Sequence, residues 1–309
     1  MNACLIEVPA TFFARGYLNN DFLASMHNRI YSMFPFLEKL AYERIKSVPP
    51  IIVVGMHRSG TTLLVRLLES CGVFMGIRQT RNSESIFFQN LNKEALDMLG
   101  CSWRCLDFLP ETSKLSSHYQ WLREMIAKKL KNDLIAEYFG RNVLCCLTKS
   151  GTLWGWKDPR NSLLLPLWKQ IFPEATVIHI FRDGRDVALS LLNREIKWEG
   201  GKSIFSEEEM SQRFIADVKL WETYIRRIQE TLPLFKKNYT LKYEQLLSTP
   251  LQEMERLVQA MNIPVRSSSQ KVISIIDSSR TKQHEKHEFS WARGLVDNSE
   301  VLEKLGYLL

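Results

Sequence analysis

Residues 51–68 constrain the fold more than any other stretch of the chain. Ile51-Ile52-Val53-Val54 follows Pro49-Pro50 as a short continuous apolar run, the pattern of a strand buried on both faces. Leu63, Leu64, Leu67 and Leu68 then fall at helical spacing. Between strand and helix lie Gly55, Met56, His57, Arg58, Ser59, Gly60, Thr61 and Thr62. A strand, a tight glycine-bounded loop and a helix start make a cradle for phosphates. Gly55 and Gly60 reach backbone angles closed to other residues, and the amides of the turn aim at one spot at the positive helix end.

The loop departs from a nucleoside-triphosphate P-loop in one informative way. That pattern reads G-x-x-x-x-G-K-[ST], and Thr61 stands where the lysine belongs. The cation has moved into the loop, to Arg58. ATP and GTP hydrolases need the lysine on the β/γ-phosphates and a hydroxyl on magnesium. An internal arginine with paired threonines suits an anion without a triphosphate tail. The bland alternative for this stretch alone is an ordinary strand-turn-helix corner.

A chain of 309 residues accommodates one large α/β domain with extensions. Its formal net charge of +7 suits an anionic ligand, and no lysine/arginine block of nucleic-acid-tail length is visible. A small polyanion is therefore expected and nucleic acid is not. The first residues lack a basic n-region, and no apolar run approaches the roughly 18 residues of a membrane helix. None of the six cysteines, Cys4, Cys71, Cys101, Cys105, Cys145 and Cys146, forms C-x-x-C. Reduced thiols in a cytoplasmic protein are expected, without zinc or disulfides.

Residues 1–48 read as an N-terminal helical extension, with Asn20-Asp21 as cap, a stripe of Phe22, Met26, Ile30, Met33 and Leu37, and Pro35 as a break. Residues 49–309 form the main domain. Helices are expected through Phe87, Phe88, Leu91, Ala95 and Leu96, and over 118–139 with Trp121, Met125, Ile126, Leu130 and Leu134 facing inward. After Leu153-Trp154-Gly155-Trp156-Lys157-Asp158-Pro159-Arg160 a helix is expected from about Ser162 to Phe172, ended by Pro173. Ala175 to Phe181 is a clear strand that breaks at Arg182-Asp183-Gly184-Arg185-Asp186 and enters a helix. Ser206 and Glu209 form a capping box, Tyr239–Tyr243 a short strand, and Thr249-Pro250 the start of a helix to Met261. Strand, charged turn and helix occur twice. The fold class is therefore α/β, a central parallel sheet flanked by helices with helical insertions, ligands sitting at the carboxyl strand ends.

Four separated stretches carry a resemblance. His57-Arg58-Ser59-Gly60-Thr61-Thr62 resembles the 5′-phosphosulfate loop of sulfotransferases that use 3′-phosphoadenosine 5′-phosphosulfate (PAPS). Phe181 to Ser190, with Arg182 and Ser190 eight positions apart, resembles their 3′-phosphate motif. Trp156-Lys157-Asp158-Pro159 is similar to the Lys-Asp-Pro of the tyrosylprotein branch, and Leu241 to Pro250 to the family's late strand and turn. The resemblance covers residues 51 to about 262 and implies a P-loop-like sulfotransferase fold. It further implies transfer of a sulfuryl group from PAPS to an acceptor hydroxyl, releasing 3′-phosphoadenosine 5′-phosphate (PAP), with no metal.

Residue roles follow from the same resemblance. Arg58, Ser59, Gly60, Thr61 and Thr62 hold the 5′ group, Arg182 and Ser190 the 3′-phosphate, and Tyr243 contacts the adenine. Lys157 stabilises the leaving oxygen and Glu84 is the base, with His118 as rival. Asp158 orients Lys157 or caps a turn. The structural alternatives are a helix-surface hydroxyl for Ser190, a half-buried aromatic for Tyr243, a solvated lysine for Lys157 and a helix N-terminal charge for Glu84. Leu63 replaces the tryptophan of the cytosolic phenol/steroid enzymes, and Arg280 and Lys282 are left as late phosphate contacts. The chain looks like a soluble relative, of bacterial type, rather than a member of either branch. Two other readings stay open: a kinase-like phosphotransferase, and a non-catalytic binding module keeping the nucleotide fold. The acceptor (glycan, peptide tyrosine or small metabolite) would lie against residues 76–150 and 194–215, which follow no readable motif. A homodimer is left open.

Overall fold

A computed structural model describes residues 36, 38–117, 119–140, 153–198, 205–262, 282–292 and 294–308. Most of the expected N-terminal extension, His118, Cys4, Cys145, Cys146 and Arg280 lie outside the described residues. Four strands form one parallel sheet: β1 (Ile51–Val54), β2 (Gly155–Lys157), β3 (Thr176–Phe181) and β4 (Lys237–Lys242), in the order β2-β1-β3-β4. Along the chain, β1 is followed by α1 (Thr61–Ser70), α2 (Ile86–Met98) and α3 (Gln120–Asp133) before β2. Then come α4 (Asn161–Ile171), β3, α5 (Gly184–Trp198) and α6 (Glu207–Thr231), and after β4 α7 (Tyr243–Ser248) and α8 (Pro250–Met261).

The sheet is covered on both faces, and the period of two in its strands sorts the side chains. Ile52 and Val54 of β1 and Val177 of β3 enter one hydrophobic core with α4 and α6. Ile51 and Val53, with Ile178 and Ile180, enter a second core against α1 and α8. The larger core holds an aromatic stack in which Phe88 lies 3.8 Å from Trp156 at an interplanar angle of 6°. Buried amides brace it: Asn161 Nδ2 donates to Val53 O at 3.2 Å, and Asn161 Oδ1 accepts from Asn92 Nδ2 at 2.8 Å and Trp156 Nε1 at 3.0 Å.

Several sequence expectations need correction. The 154–160 segment contains a strand, β2, three residues long and too short for its apolar period to show. Helix α3 ends at Asp133 and a π-helical turn, Leu134–Phe139, follows. Its inward stripe is Leu122, Ile126 and Leu130, while Trp121 is 46% exposed. Helix α4 contains Pro166 within its buried run. Tyr243 is not the end of β4 but the first residue of α7. Thr249 does not cap α8 with its side chain; its hydroxyl donates back to Gln245 O at 3.1 Å. The Ser206/Glu209 capping box forms as expected.

Candidate active site

All four strands deliver their carboxyl ends to one edge, which receives Gly55–Gly60 from β1, Asp158–Arg160 from β2, Arg182–Asp183 from β3 and Tyr243 from β4. Strand order reverses at β1, where ligands bind in such sheets. Gly60 has φ 90° and no side chain caps the helix it opens, so the first turn of α1 presents its amides outward. A Cβ at Gly60 would sit 2.2 Å from the Tyr243 ring. Tyr243 therefore packs directly against the loop, and the Arg182 guanidinium lies 5.1 Å from the same ring. Ser59 is fully buried and its Oγ has no hydrogen-bond partner. A buried orphan hydroxyl beside an uncapped helix fits an anion.

The two arginines enter the same space from opposite walls. Arg58 is exposed, carries φ 70°, and donates from Nε to Ser190 Oγ at 2.8 Å. Arg182 is buried; its Nη2 donates to Asp186 Oδ2 at 2.8 Å and its Nη1 approaches Arg58 O at 3.5 Å. Arg58 and Ser190, expected on different ends of the donor, thus meet each other directly. The Thr62 hydroxyl donates to Asn82 O at 2.8 Å, so its proton is not directed at the loop's centre.

Beneath this edge lies a buried ion pair. Lys157 Nζ donates to Asn82 O at 2.6 Å and stands 3.4 Å from Glu84 Oε1, with both side chains under 10% exposed. Glu84 Oε2 accepts from Gln89 Nε2 at 2.5 Å. Burial pulls the Lys157 ammonium below its usual range, against the opposing charges of Glu84 and Asp158. Asp158 accepts from Arg160 N at 2.7 Å and pairs with its guanidinium at 3.0 Å, closing the turn after β2. Burial pushes its carboxyl up to about 6, with Arg160 pulling down and Glu84 up. Lys157 is therefore no solvated lysine, and Asp158 caps the turn.

Sequence reasoning passed over two groups here. His57 Nε2 is buried without a partner, its ring 4.6 Å from the Trp103 ring. Burial holds this imidazole well below the ordinary histidine range, reinforced by Arg160, Lys157, Arg194 and Arg58. Asn82 acts through its carbonyl, which joins Thr62 of the loop to Lys157. Backbone roles leave no residue-type signature, so nothing in the sequence marks it.

A family model described as "Sulfotransferase family" matches residues 49–267. The chain belongs to the sulfotransferase family. Solved structures similar to this sulfotransferase include the "Sulfotransferase Domain from the Curacin Biosynthetic Pathway", at 16% identity and a TM-score of 0.46, covering 76% of this chain and 80% of that one. STF1 from Mycobacterium tuberculosis H37Rv gives 14% identity and a TM-score of 0.46, covering 82% and 80%. A sulfotransferase from Alicyclobacillus acidocaldarius gives 14% identity and a TM-score of 0.41, covering 72% and 88%. No curated protein matches the chain. No helix among the described residues is long and apolar enough to cross a membrane.

The expected residues of this sulfotransferase fall into two groups. Arg58, Ser59, Gly60, Thr61, Arg182, Ser190 and Tyr243 line the upper edge, and beneath it Thr62 and Lys157 are linked through the Asn82 carbonyl, with Glu84 paired to Lys157. Lys282 is exposed and its ammonium pairs with Glu285 at 3.1 Å.

Proposed function

We propose that this sulfotransferase moves a sulfuryl group from PAPS to an acceptor hydroxyl, of a glycan, a peptide tyrosine or a small metabolite, and releases PAP. The observation that carries the reading is the Lys157–Asn82–Thr62 connection: one carbonyl couples a buried ammonium to the anion loop. Arg58, Ser59 and the first amides of α1 hold the 5′ end of the donor, and Thr61 and Thr62 fix the loop. Arg182, with Ser190, holds the 3′-phosphate, and the flat Tyr243 ring faces the adenine. The donor supplies the sulfuryl group and a phosphate leaving group; the protein supplies charge and a proton acceptor.

Lys157 places its ammonium where negative charge grows on the departing oxygen, and its lowered proton affinity eases sharing of that proton. Glu84 takes the proton of the acceptor hydroxyl and in the resting site offsets the Lys157 charge. Residues 49–309 form the catalytic domain and 1–48 its extension, and the reduced-thiol composition favours a cytoplasmic setting.

PAP release from PAPS, assayed against a panel of phenols, sugars and alcohols, tests the reading. Lys157→Ala and Glu84→Gln should each lower release at least about a hundredfold, with PAP affinity by calorimetry within about twofold of wild type. Full activity in Glu84→Gln would remove the base role, and PAP-insensitive protein would remove the donor.

A further inference from the structure

We infer that His284, which lies beyond the residues matched by the family model, is a positioning residue for the donor's 3′-phosphate, acting on Arg182 through Asp186. The inference rests on the donor reading above. Asp186 is 1% exposed and divides its carboxylate between two partners. Oδ2 accepts from Arg182 Nη2 at 2.8 Å, while Oδ1 accepts from the His284 backbone N–H at 3.0 Å and meets His284 Nδ1 at 2.7 Å. A carboxylate only accepts, so Nδ1 carries the proton in this contact. His284 Nε2 stands 3.8 Å from Asp183 Oδ2, in the same turn.

The sequence is a relay. A guanidinium binds a phosphate well only when its planar fork is already oriented. Arg182 is oriented by Asp186 on one edge and by the Tyr243 ring on its face. Asp186 is itself fixed by the C-terminal segment. Burial drives its carboxyl upward, but the His284 hydrogen bonds and the Arg182 charge outweigh burial and hold it below the usual range. Without the imidazole, Oδ1 keeps one donor, the backbone N–H, and the carboxylate is free to turn and carry Arg182 with it.

A second contact separates positioning from simple stitching. Arg185 Nη2 donates to Tyr307 O at 2.8 Å, and the Tyr307 hydroxyl donates to Glu244 at 2.8 Å. This latch ties the same turn to the C-terminal segment without touching Asp186. Both latches stabilise; only the His284 one reaches the side chain of Arg182, the other ending on the Asp183 N–H through Glu244 Oε1 at 3.1 Å.

The test compares PAP with adenosine 5′-monophosphate (AMP), which lacks the 3′-phosphate, by titration calorimetry on the full chain. His284→Ala should weaken PAP about tenfold while AMP stays within about twofold. His284→Asn keeps an N–H near the Nδ1 position and should restore most of the PAP preference. Tyr307→Phe should lower the melting temperature and leave the PAP/AMP ratio unchanged. Parallel weakening of PAP and AMP in His284→Ala, or an unrescued loss in His284→Asn, overturns the inference. A wild-type protein with no preference for PAP over AMP overturns the donor reading itself, a different failure.

Discussion

The turns after β1 and β3 each carry an arginine into the same space, and they hold it by opposite means. Arg58 is exposed, left-handed in its backbone and donates to a neutral hydroxyl, Ser190 Oγ. Arg182 is buried, lies in an ordinary backbone, and is fixed by a carboxylate that is fixed in turn by the C-terminal segment. On the proposed reading the first turn offers an anion mainly backbone amides and glycine geometry, so its cation is an addition. The second has no uncapped helix of comparable build and depends on a charged side chain whose partners must stay in place. Truncating the arginine of the first should therefore damage binding more than stability, and truncating that of the second should damage both.

Gly60 is where the first turn meets the Tyr243 ring that follows β4, and substituting it gives the largest effect. In Gly60→Ala the new Cβ meets the Tyr243 ring in a backbone at φ 90°, so the loop and that ring cannot both stay. A stability loss of about 3 kcal/mol is expected, together with loss of measurable PAP binding; thermal melts and calorimetry read both. Arg182→Ala should come next, weakening PAP about a hundredfold and lowering stability, because it strands the Asp186 carboxylate. Arg58→Gly sharpens the contrast. PAP and AMP should both weaken about tenfold, while relief of the positive φ raises stability by about 0.5 kcal/mol. If Arg58→Gly and Arg182→Ala shift stability alike, the contrast between the turns fails.

A last prediction concerns pH. His179, on β3 beneath the second turn, has its pKa lowered to about 3 by burial. Its neutral form contributes fully above its unfolded pKa of about 6.5, and that stability is lost as pH falls towards 3. Asp158, raised to about 6, runs the other way, losing stability as pH rises from about 4 to 6. Replacing His179 with leucine should make the acid limb of a denaturation profile shallower by about 1 kcal/mol per pH unit. An unchanged limb would mean that the ring is hydrated.

What could be read from the sequence was what repeats or carries type. The Ile51–Val54 run, the glycines of the loop, the Arg182-to-Ser190 spacing and the Ser206/Glu209 box each announce their local structure by residue identity. Strand β2 did not, because the three residues Gly155-Trp156-Lys157 show no period, and the pairing with β1 that makes them a strand is non-local. Tyr243 was misplaced by one element because a residue at a strand-helix junction suits both. The Asn82 carbonyl and the Asp186–His284 contact were illegible for another reason. One is a backbone group, and the other joins residues 98 positions apart with no motif between them.

The central claim is that this edge of the sheet binds a nucleotide with a 3′-phosphate and a 5′ anion short of a triphosphate. Calorimetric titration of the wild-type protein with PAP, in parallel with ATP and magnesium, tests it most directly. The account predicts saturable one-to-one binding of PAP without magnesium, and binding of ATP at least about tenfold weaker. Tight magnesium-dependent binding of ATP with no response to PAP would contradict it and return the chain to phosphoryl chemistry.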